Sequence, residues 1–252
     1  MTPRSLEQLY TALEERHLEK MTFQEVRRAL QALSSLYVQR RGRLQRGHGL
    51  DTAGKRAAFA LFYGTLHFIQ VREVVRELGL DQLPISTIFD LGCGTGTSGA
   101  AWARECTSAV SLKGFDQNAW AIAEARWVYQ GLGLKGEAVQ GDLLRAKWGQ
   151  PGTGVLLAFS ANELEPGPRQ RLLTRLIRAA GNGATLLIIE PISRKVTPWL
   201  EEWSEKLSPS GAQLRDWRFS VELPDRFALL DKAAGLDHRS EITCRTLCCR
   251  PD

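Results

Sequence analysis

Long apolar runs are scarce in this 252-residue chain. The best of them, GVLLAFSA at 154–161 and ATLLII at 184–189, fall far short of the roughly 20 residues a membrane-spanning helix needs, so neither a span nor a membrane partner is expected. The opening MTPRSLEQLY has no apolar signal core, and Glu7, Glu14 and Glu15 are wrong for a transit peptide. Cysteine is sparse and poorly spaced for a framework. There are five, an odd number without a CxxC pair, and Cys244, Cys248 and Cys249 suit a buried strand better than a disulfide or zinc site. Internal repeats and low-complexity tracts are missing too. A reduced, cytoplasmic protein is the expectation. With 43% hydrophobic and 24% charged residues the chain can bury a core, which excludes wholesale disorder.

The net charge of +5 is unevenly placed. Residues 1–80 carry thirteen Lys/Arg against eight Asp/Glu, whereas 81–252 carry twenty of each. Most of the excess lies in one stretch: Arg40, Arg41, Arg43, Arg46, Lys55 and Arg56 against Asp51 alone. Such a stretch is either a solvated loop between helices or a patch for nucleic-acid phosphates.

The first 80 residues read as helical. Leu6, Leu9, Tyr10 and Leu13 recur at helix spacing, Thr22 and Glu25 stand in capping-box relation, and a long helix is expected from about Lys55 to Leu78 with Gly79 as its stop. On that last segment Phe59, Phe62, Leu66 and Ile69 share a face. Tyr63 and His67 beside them suit core packing against the sheet, stacking on a base or gating of a pocket. From Pro84 the period changes to ISTIFD, a helix from Thr97, VSLKGFD, a helix from Asn118, GEAVQGD, GVLLAFS, a helix over Pro168–Ala180, and ATLLIIEP. Strand–helix alternation of this kind implies a parallel sheet covered on both faces. The tail adds a helix near 198–207, a strand at WRFSVEL, a helix near 224–234, and RSEITCRTLCC as an edge or antiparallel strand. Trp199 and Trp203, four apart, fit burial against the sheet. The chain thus divides into an N-terminal helical cap over 1–80 and an α/β domain over 81–252.

The chemistry concentrates at Asp90-Leu-Gly92-Cys93-Gly94-Thr95-Gly96-Thr-Ser-Gly99, between an apolar strand and a helix. Gly94, Gly96 and Gly99 fit GxGxxG, and Asp116 lies 22 residues beyond Gly94, a spacing a dinucleotide site would also show. The glycine register argues otherwise, because the strand ends at Asp90 and Gly92 is already in the turn. An acid there repels a pyrophosphate and suits a cationic ligand. S-adenosylmethionine carries a sulfonium and an ammonium; Asp90 can attract the ammonium while the glycines let backbone approach the ligand. Cys93 reads as a small spacer in the loop.

DLGCGTG resembles the first motif of class I S-adenosylmethionine-dependent methyltransferases. That resemblance implies a Rossmann-like class I methyltransferase sheet, mostly parallel with an antiparallel strand near the C-terminus, and S-adenosylmethionine as cofactor. It places Asp90, Gly92, Cys93, Gly94, Thr95 and Gly96 around the methionine and ribose, and Asp116 with Gln117 at the ribose hydroxyls. Gly141, Asp142 and Leu143 fall at the adenine, and Ser160 beside the methyl end. From Ile88 to Leu247 the chain is similar to a narrower family, the methyltransferase-like factors of mitochondrial small-ribosomal-subunit assembly and their bacterial relatives. The similarity is carried by GVLLAFSANELEP, by RQRLLTRLIRAAGNGATLLIIEP with Glu190-Pro191, and by DWRFSVELPDRFALL at 216–230. The cysteine cluster of that family is missing from KLSPSGAQLRDWRF, where Arg218 follows the tryptophan, so no metal is expected.

The lip beyond the fourth strand is Ser160-Ala161-Asn162-Glu163. Asn162 can hold an acceptor by hydrogen bonds and Glu163 can take a proton, although Glu163 is equally suited to capping the next turn or pairing with an arginine. The chain lacks the NPPY-type tetrad of base-amino methylation. An S-adenosylmethionine-dependent methyltransferase is the leading expectation, with RNA or a ribosomal subunit held through Arg40, Arg41, Arg43 and Arg46 as partner. A cofactor-binding assembly factor without turnover and a small-molecule methyltransferase are the alternatives.

Overall fold

A computed structural model describes residues 4–39, 50–235 and 241–251. Arg40, Arg41, Arg43 and Arg46, the expected nucleic-acid patch, lie outside the described residues. The chain divides into two compact units, Met1–Ile69 with Phe219–Ile242, and Gln70–Arg218 with Thr243–Asp252.

The first unit is built from α1 (Arg4–Leu18), α2 (Phe23–Gln39), α3 (Ala53–Ala58), a π-helical turn over Phe59–Gly64 and the start of α4 (Thr65–Glu77). It also takes α9 (Asp225–Ala233) from far along the chain. The apolar positions at helix spacing face inward: Leu6, Leu9, Tyr10 and Leu13 on α1, and Val26, Leu30 and Leu33 on α2, are all buried. The capping box forms. Glu25 accepts from the Thr22 N–H at 2.7 Å, while the Glu25 N–H donates to the Thr22 hydroxyl at 3.3 Å. Phe227 of α9 stacks on Phe62 at 5.3 Å and meets Tyr10 edge-on at 6.1 Å. Ser34 donates to the Ala234 carbonyl at 3.0 Å and Arg226 pairs with Glu14 at 2.7 Å. At the edge of the basic stretch Lys55 pairs with Asp51 at 2.9 Å, and Arg56 donates to the Leu50 carbonyl at 2.8 Å. Tyr63 packs among Phe59, Phe62 and His67, and burial pushes the His67 pKa down to about 3. Packing against the sheet is the expectation for that segment; within this unit its ring partners are helical, Phe227 of α9 among them.

The second unit holds the sheet: β1 (Thr87–Leu91), β2 (Ser111–Asp116), β3 (Gly136–Gln140), β4 (Thr153–Ala158), β5 (Thr185–Glu190), β6 (Gln213–Phe219) and β7 (Ile242–Cys249), in the order 3-2-1-4-5-7-6. β1 pairs in parallel with β2 and β4, β2 with β3, and β4 with β5. β7 runs antiparallel to β5, Leu186 opposite Cys249 and Glu190 opposite Arg245. Around these strands lie α5 (Thr97–Glu105), α6 (Ala119–Gly131), α7 (Pro166–Gly181) and α8 (Trp199–Leu207). One core joins Leu91, Val155, Leu157, Leu186 and Ile188 to Leu172 and Leu176 of α7 and to Trp199 and Trp203 of α8, whose rings meet at 4.6 Å. α5 and α6 pack on β1, β2 and β3, and Trp102 lies where a side chain at Gly154 would fall, 2.9 Å from such a Cβ.

Two expectations are corrected. The sheet is not covered throughout, because the 12 residues from Gly141 to Gly152 that join β3 to β4 contain no helix. Val139 is left 42% exposed there, and Lys113 and Phe115 are half-buried. β6 begins at Gln213 rather than at Trp217, because the left-handed Gly211 (φ 72°) reverses the chain directly after α8 and its short terminal turn. Two side-chain contacts then tie β6 to β7: Trp217 Nε1 donates to Thr246 Oγ1 at 2.8 Å, and Asp216 pairs with the buried Arg245 at 3.0 Å.

Candidate active site

The sheet order reverses between β1 and β4, and at such a switch point the loops leave toward opposite faces and open a crevice at the carboxyl ends. The glycine loop crosses this point after β1. Gly92, Gly94 and Gly96 all have positive φ, at 76°, 51° and 78°. Gly92 is doubly required: a Cβ there would stand 2.5 Å from the Ser160 Cβ of the β4 loop. The Gly92 and Cys93 N–H groups donate to the Phe115 carbonyl at 2.8 and 3.0 Å, which moors the loop to β2. Thr95 and Cys93 are buried, and burial first, then the charges of Asp90 and Asp116, hold the Cys93 thiol well above its usual range.

Each strand flanking the crevice ends in an acid or leads into one. Asp90, 1% exposed, lies under the loop, where Oδ2 accepts from the Gly99 N–H at 2.9 Å and Oδ1 has no hydrogen-bond partner. Burial chiefly, with a smaller push from Asp116, raises its pKa to about 7. Asp90, expected to attract an ammonium directly or through water, is here bonded to the first turn of α5 through the Gly99 N–H. Asp116 closes β2. Its Oδ2 accepts from the Gly94 N–H at 3.0 Å and its Oδ1 from the Asn118 N–H at 2.8 Å, so one carboxylate ties the glycine loop to the start of α6 and keeps lone pairs to spare. Gln117 beside it is exposed, with its carbonyl accepting from Gln140 at 3.0 Å.

The β3 loop begins with Gly141, whose N–H donates to the Asp116 carbonyl at 2.9 Å. Asp142 accepts from the Leu144 N–H at 2.8 Å, so here the carboxylate turns the chain. A contact that sequence reasoning missed fixes the stretch from Leu143 to Trp148. Arg175 of α7 donates to the carbonyls of Leu143, Leu144 and Ala146 at 3.2, 2.5 and 2.5 Å, and its guanidinium lies 4.1 Å from the Trp148 ring centroid.

On the β4 side Phe159 takes a left-handed conformation at φ 57°, one that costs a non-glycine residue roughly 1–2 kcal/mol. The turn brings Ser160 back to donate to the Leu91 carbonyl at 2.8 Å and projects the short helical turn Ala161–Glu163. Glu163 is exposed at the lip. Desolvation by the surrounding loops, then the charge of Asp116, pushes its pKa up to about 7. Asn162 is held by Glu190 at the end of β5, another contact the sequence did not disclose: its N–H reaches Oε1 at 3.1 Å and its Nδ2 reaches Oε2 at 2.5 Å. Glu190 is fully buried, and burial raises its pKa to about 8 against these hydrogen bonds. At this end of the sheet Asp116 is half-buried and Glu163 exposed, while Asp90 and Glu190 lie buried beneath the loops. Among the described residues no group of three or more His, Cys, Asp or Glu is placed to hold a metal ion, and no helix is long and apolar enough to cross a membrane.

The strand order, the antiparallel seventh strand and the loop geometry together define the Rossmann-like fold of class I methyltransferases. Residues 88–183 match a family model described as a methyltransferase domain. Among solved structures, the plantazolicin methyltransferase BpumL, in complex with S-adenosylhomocysteine, is 13% identical, with 96% of this chain and 100% of that one covered at a TM-score of 0.55. The N-methyltransferase NodS from Bradyrhizobium japonicum, also bound to S-adenosylhomocysteine, is 14% identical over 73% of this chain and 86% of that one, with a TM-score of 0.50. At such identities the likeness is one of fold. No curated protein matches the chain in sequence.

Proposed function

We propose that this protein is an S-adenosylmethionine-dependent methyltransferase. The observation that carries the reading is the set of acids at the switch point. Asp116 at the end of β2 ties the Gly94 N–H of the glycine loop to the Asn118 N–H of α6, and Asp90 lies buried under the same loop. Burial first, and neighbouring carboxylates second, raise the pKa values of Asp90, Glu163 and Glu190, a setting that a cation relieves and a diphosphate aggravates. The residues fit the cofactor. Gly92, Gly94 and Gly96 leave room for close backbone approach, Asp116 has lone pairs for the ribose hydroxyls, and Gly141 to Leu143 offer an adenine wall stiffened by Arg175. Bound there, S-adenosylmethionine supplies a methyl carbon whose bond to sulfur breaks as the acceptor's lone pair attacks, leaving S-adenosylhomocysteine.

The protein's own work is alignment, exclusion of water and management of one proton. An N–H or O–H acceptor must lose a proton, and Glu163, with a pKa near 7, is suited to take it and return it to solvent. The expected RNA or ribosomal partner rests on arginines outside the described residues, and no acceptor is assigned from them. BpumL and NodS, named for a plantazolicin and an N-methyl acceptor, give the small-molecule or peptide alternative equal standing. The test is to incubate the protein with methyl-tritiated S-adenosylmethionine and fractionated cell extract. Label entering one fraction, reduced tenfold or more by Glu163→Gln, supports the reading. Cofactor binding without any transfer supports the assembly-factor alternative instead.

A further inference from the structure

The acceptor lip carries more information than the position of its residues. Asn162 has a single side-chain amide with two faces, one a donor and one an acceptor, and something must decide which face meets the crevice. Three N–H groups converge on Glu190: the backbone of Asn162 at 3.1 Å, its Nδ2 at 2.5 Å, and the backbone of Ala161. When ionised, Glu190 offers only acceptors to them, so the NH2 of Asn162 turns inward. Among the described residues its Oδ1 has no hydrogen-bond partner, and Asn162 is half-buried, so that oxygen is the polar atom left over at the lip.

We propose that Glu190 is a positioning residue which fixes the Asn162 amide so that its oxygen faces the acceptor site, and that the methyl acceptor is therefore a nucleophile bearing hydrogen, an amine or a hydroxyl, rather than a thioether, a tertiary amine or a bare ring nitrogen. This rests on the methyl-transfer reading and narrows it. An N–H or O–H donating to Asn162 Oδ1 would have its lone pair directed away from the lip. As that pair bonds to the methyl carbon and the carbon–sulfur pair stays with sulfur, the acceptor would become positive, and its proton would leave Asn162 for Glu163 and solvent. The charged groups on the Glu190 side are Glu163 on the turn that carries Asn162, which opposes its ionisation, Arg169 of α7, which favours it, and its cross-strand partner Arg245 of β7, which pairs with Glu201 and Asp216. The oxygen-out arrangement belongs to the ionised carboxylate. With burial raising the pKa to about 8, it is fully populated above that pH, and a protonated Glu190 can instead donate to a flipped Asn162 oxygen.

Glu190→Gln separates this from a structural role. Gln is nearly isosteric, keeps one oxygen for the two backbone donors, and replaces the other by an NH2 that must donate to Asn162 Oδ1. The amide flips, and the lip changes from acceptor to donor. The first readout is the side-chain amide signal of Asn162 in protein labelled with 15N-asparagine and loaded with S-adenosylhomocysteine, assigned by its loss in Asn162→Asp. In the wild type at pH 9 one amide proton should lie downfield and exchange slowly, and it should lose both properties as the pH falls through about 8. In Glu190→Gln it should have them at no pH. The second readout is transfer: kcat falling tenfold or more, with affinity for S-adenosylhomocysteine held within twofold, and with mass spectrometry placing the methyl on a nitrogen or oxygen that carried hydrogen. Asn162 signals identical in the two proteins, cofactor affinity lost in step with kcat, or a methylated sulfur or tertiary nitrogen would each overturn the proposal. Absence of transfer in the wild type would strike the methyl-transfer reading instead, and the amide signals alone would then decide the orientation.

Discussion

Replacing Gly92 with alanine probes the contact on which the crevice is built. The residue sits at φ 76°, where a Cβ costs roughly 1–2 kcal/mol. That Cβ would also stand 2.5 Å from the Ser160 Cβ, and overpacking of this kind adds about 1–3 kcal/mol. A destabilisation of about 2–5 kcal/mol is expected, read as a fall in the urea midpoint at unchanged m. The two contributions can be separated. Ser160→Gly removes the clashing atom, at a cost of about 1 kcal/mol for the hydrogen bond to the Leu91 carbonyl. The Gly92→Ala/Ser160→Gly double variant should therefore be more stable than the sum of the single changes by about 1–3 kcal/mol, a coupling that only touching residues show. It should still fall short of wild type by the backbone cost and the lost Ser160 hydrogen bond together, about 2–3 kcal/mol. Additivity within error would refute the contact between the β1 and β4 loops, and a neutral Gly92→Ala would refute the backbone argument too.

Other outcomes are set by the same geometry. Asp116→Ala should weaken S-adenosylhomocysteine binding by about 1.5–3 kcal/mol in calorimetry, the scale of hydrogen bonds to a charged group; an unchanged affinity removes Asp116 from the ribose role. Arg175→Leu should leave the Leu144 and Ala146 carbonyls without their donor and loosen the loop after Asp142. Faster amide exchange over 143–148 is the expected result, and unchanged exchange there would count against it. The native state holds protons on Asp90 and Glu190, with pKa values raised from 3.8 to about 7 and from 4.5 to about 8, that the unfolded chain releases earlier. Their contribution is present in full below about pH 4 and lost as pH rises through 7 to 8, on the order of a few kcal/mol. The thermal midpoint should thus decline from pH 6 to 9, less steeply in Asp90→Asn, and a flat profile in the wild type would contradict these shifts.

The sheet and the glycine loop were legible because their signals are local. An apolar strand, an acid and a glycine run lie side by side in the chain, and the Thr22–Glu25 box closes within a single helical turn. The antiparallel β7 showed itself through alternation. The hidden features depend on contacts between distant segments. Nothing near Asp225 announces that α9 joins helices from the other end of the chain, because an amphipathic helix advertises a buried face and not the surface that buries it. Glu190 was visible as a strand-end acid, and Arg175 as one of several basic residues on a helix, yet their partners at Asn162 and Leu144 are set by tertiary placement. The uncovered face by Val139 was missed for a different reason: the alternation rule was carried across a connection that folds as turns rather than as a helix.

Selection of a cation by the acids around the switch point is tested most directly by calorimetry at pH 7 in buffers of different ionisation enthalpy. S-adenosylmethionine should bind with net release of protons as Asp90 and Glu163 ionise beside the positive charge, while NAD does not bind. Tight NAD binding, or S-adenosylmethionine binding that releases no protons, would contradict it.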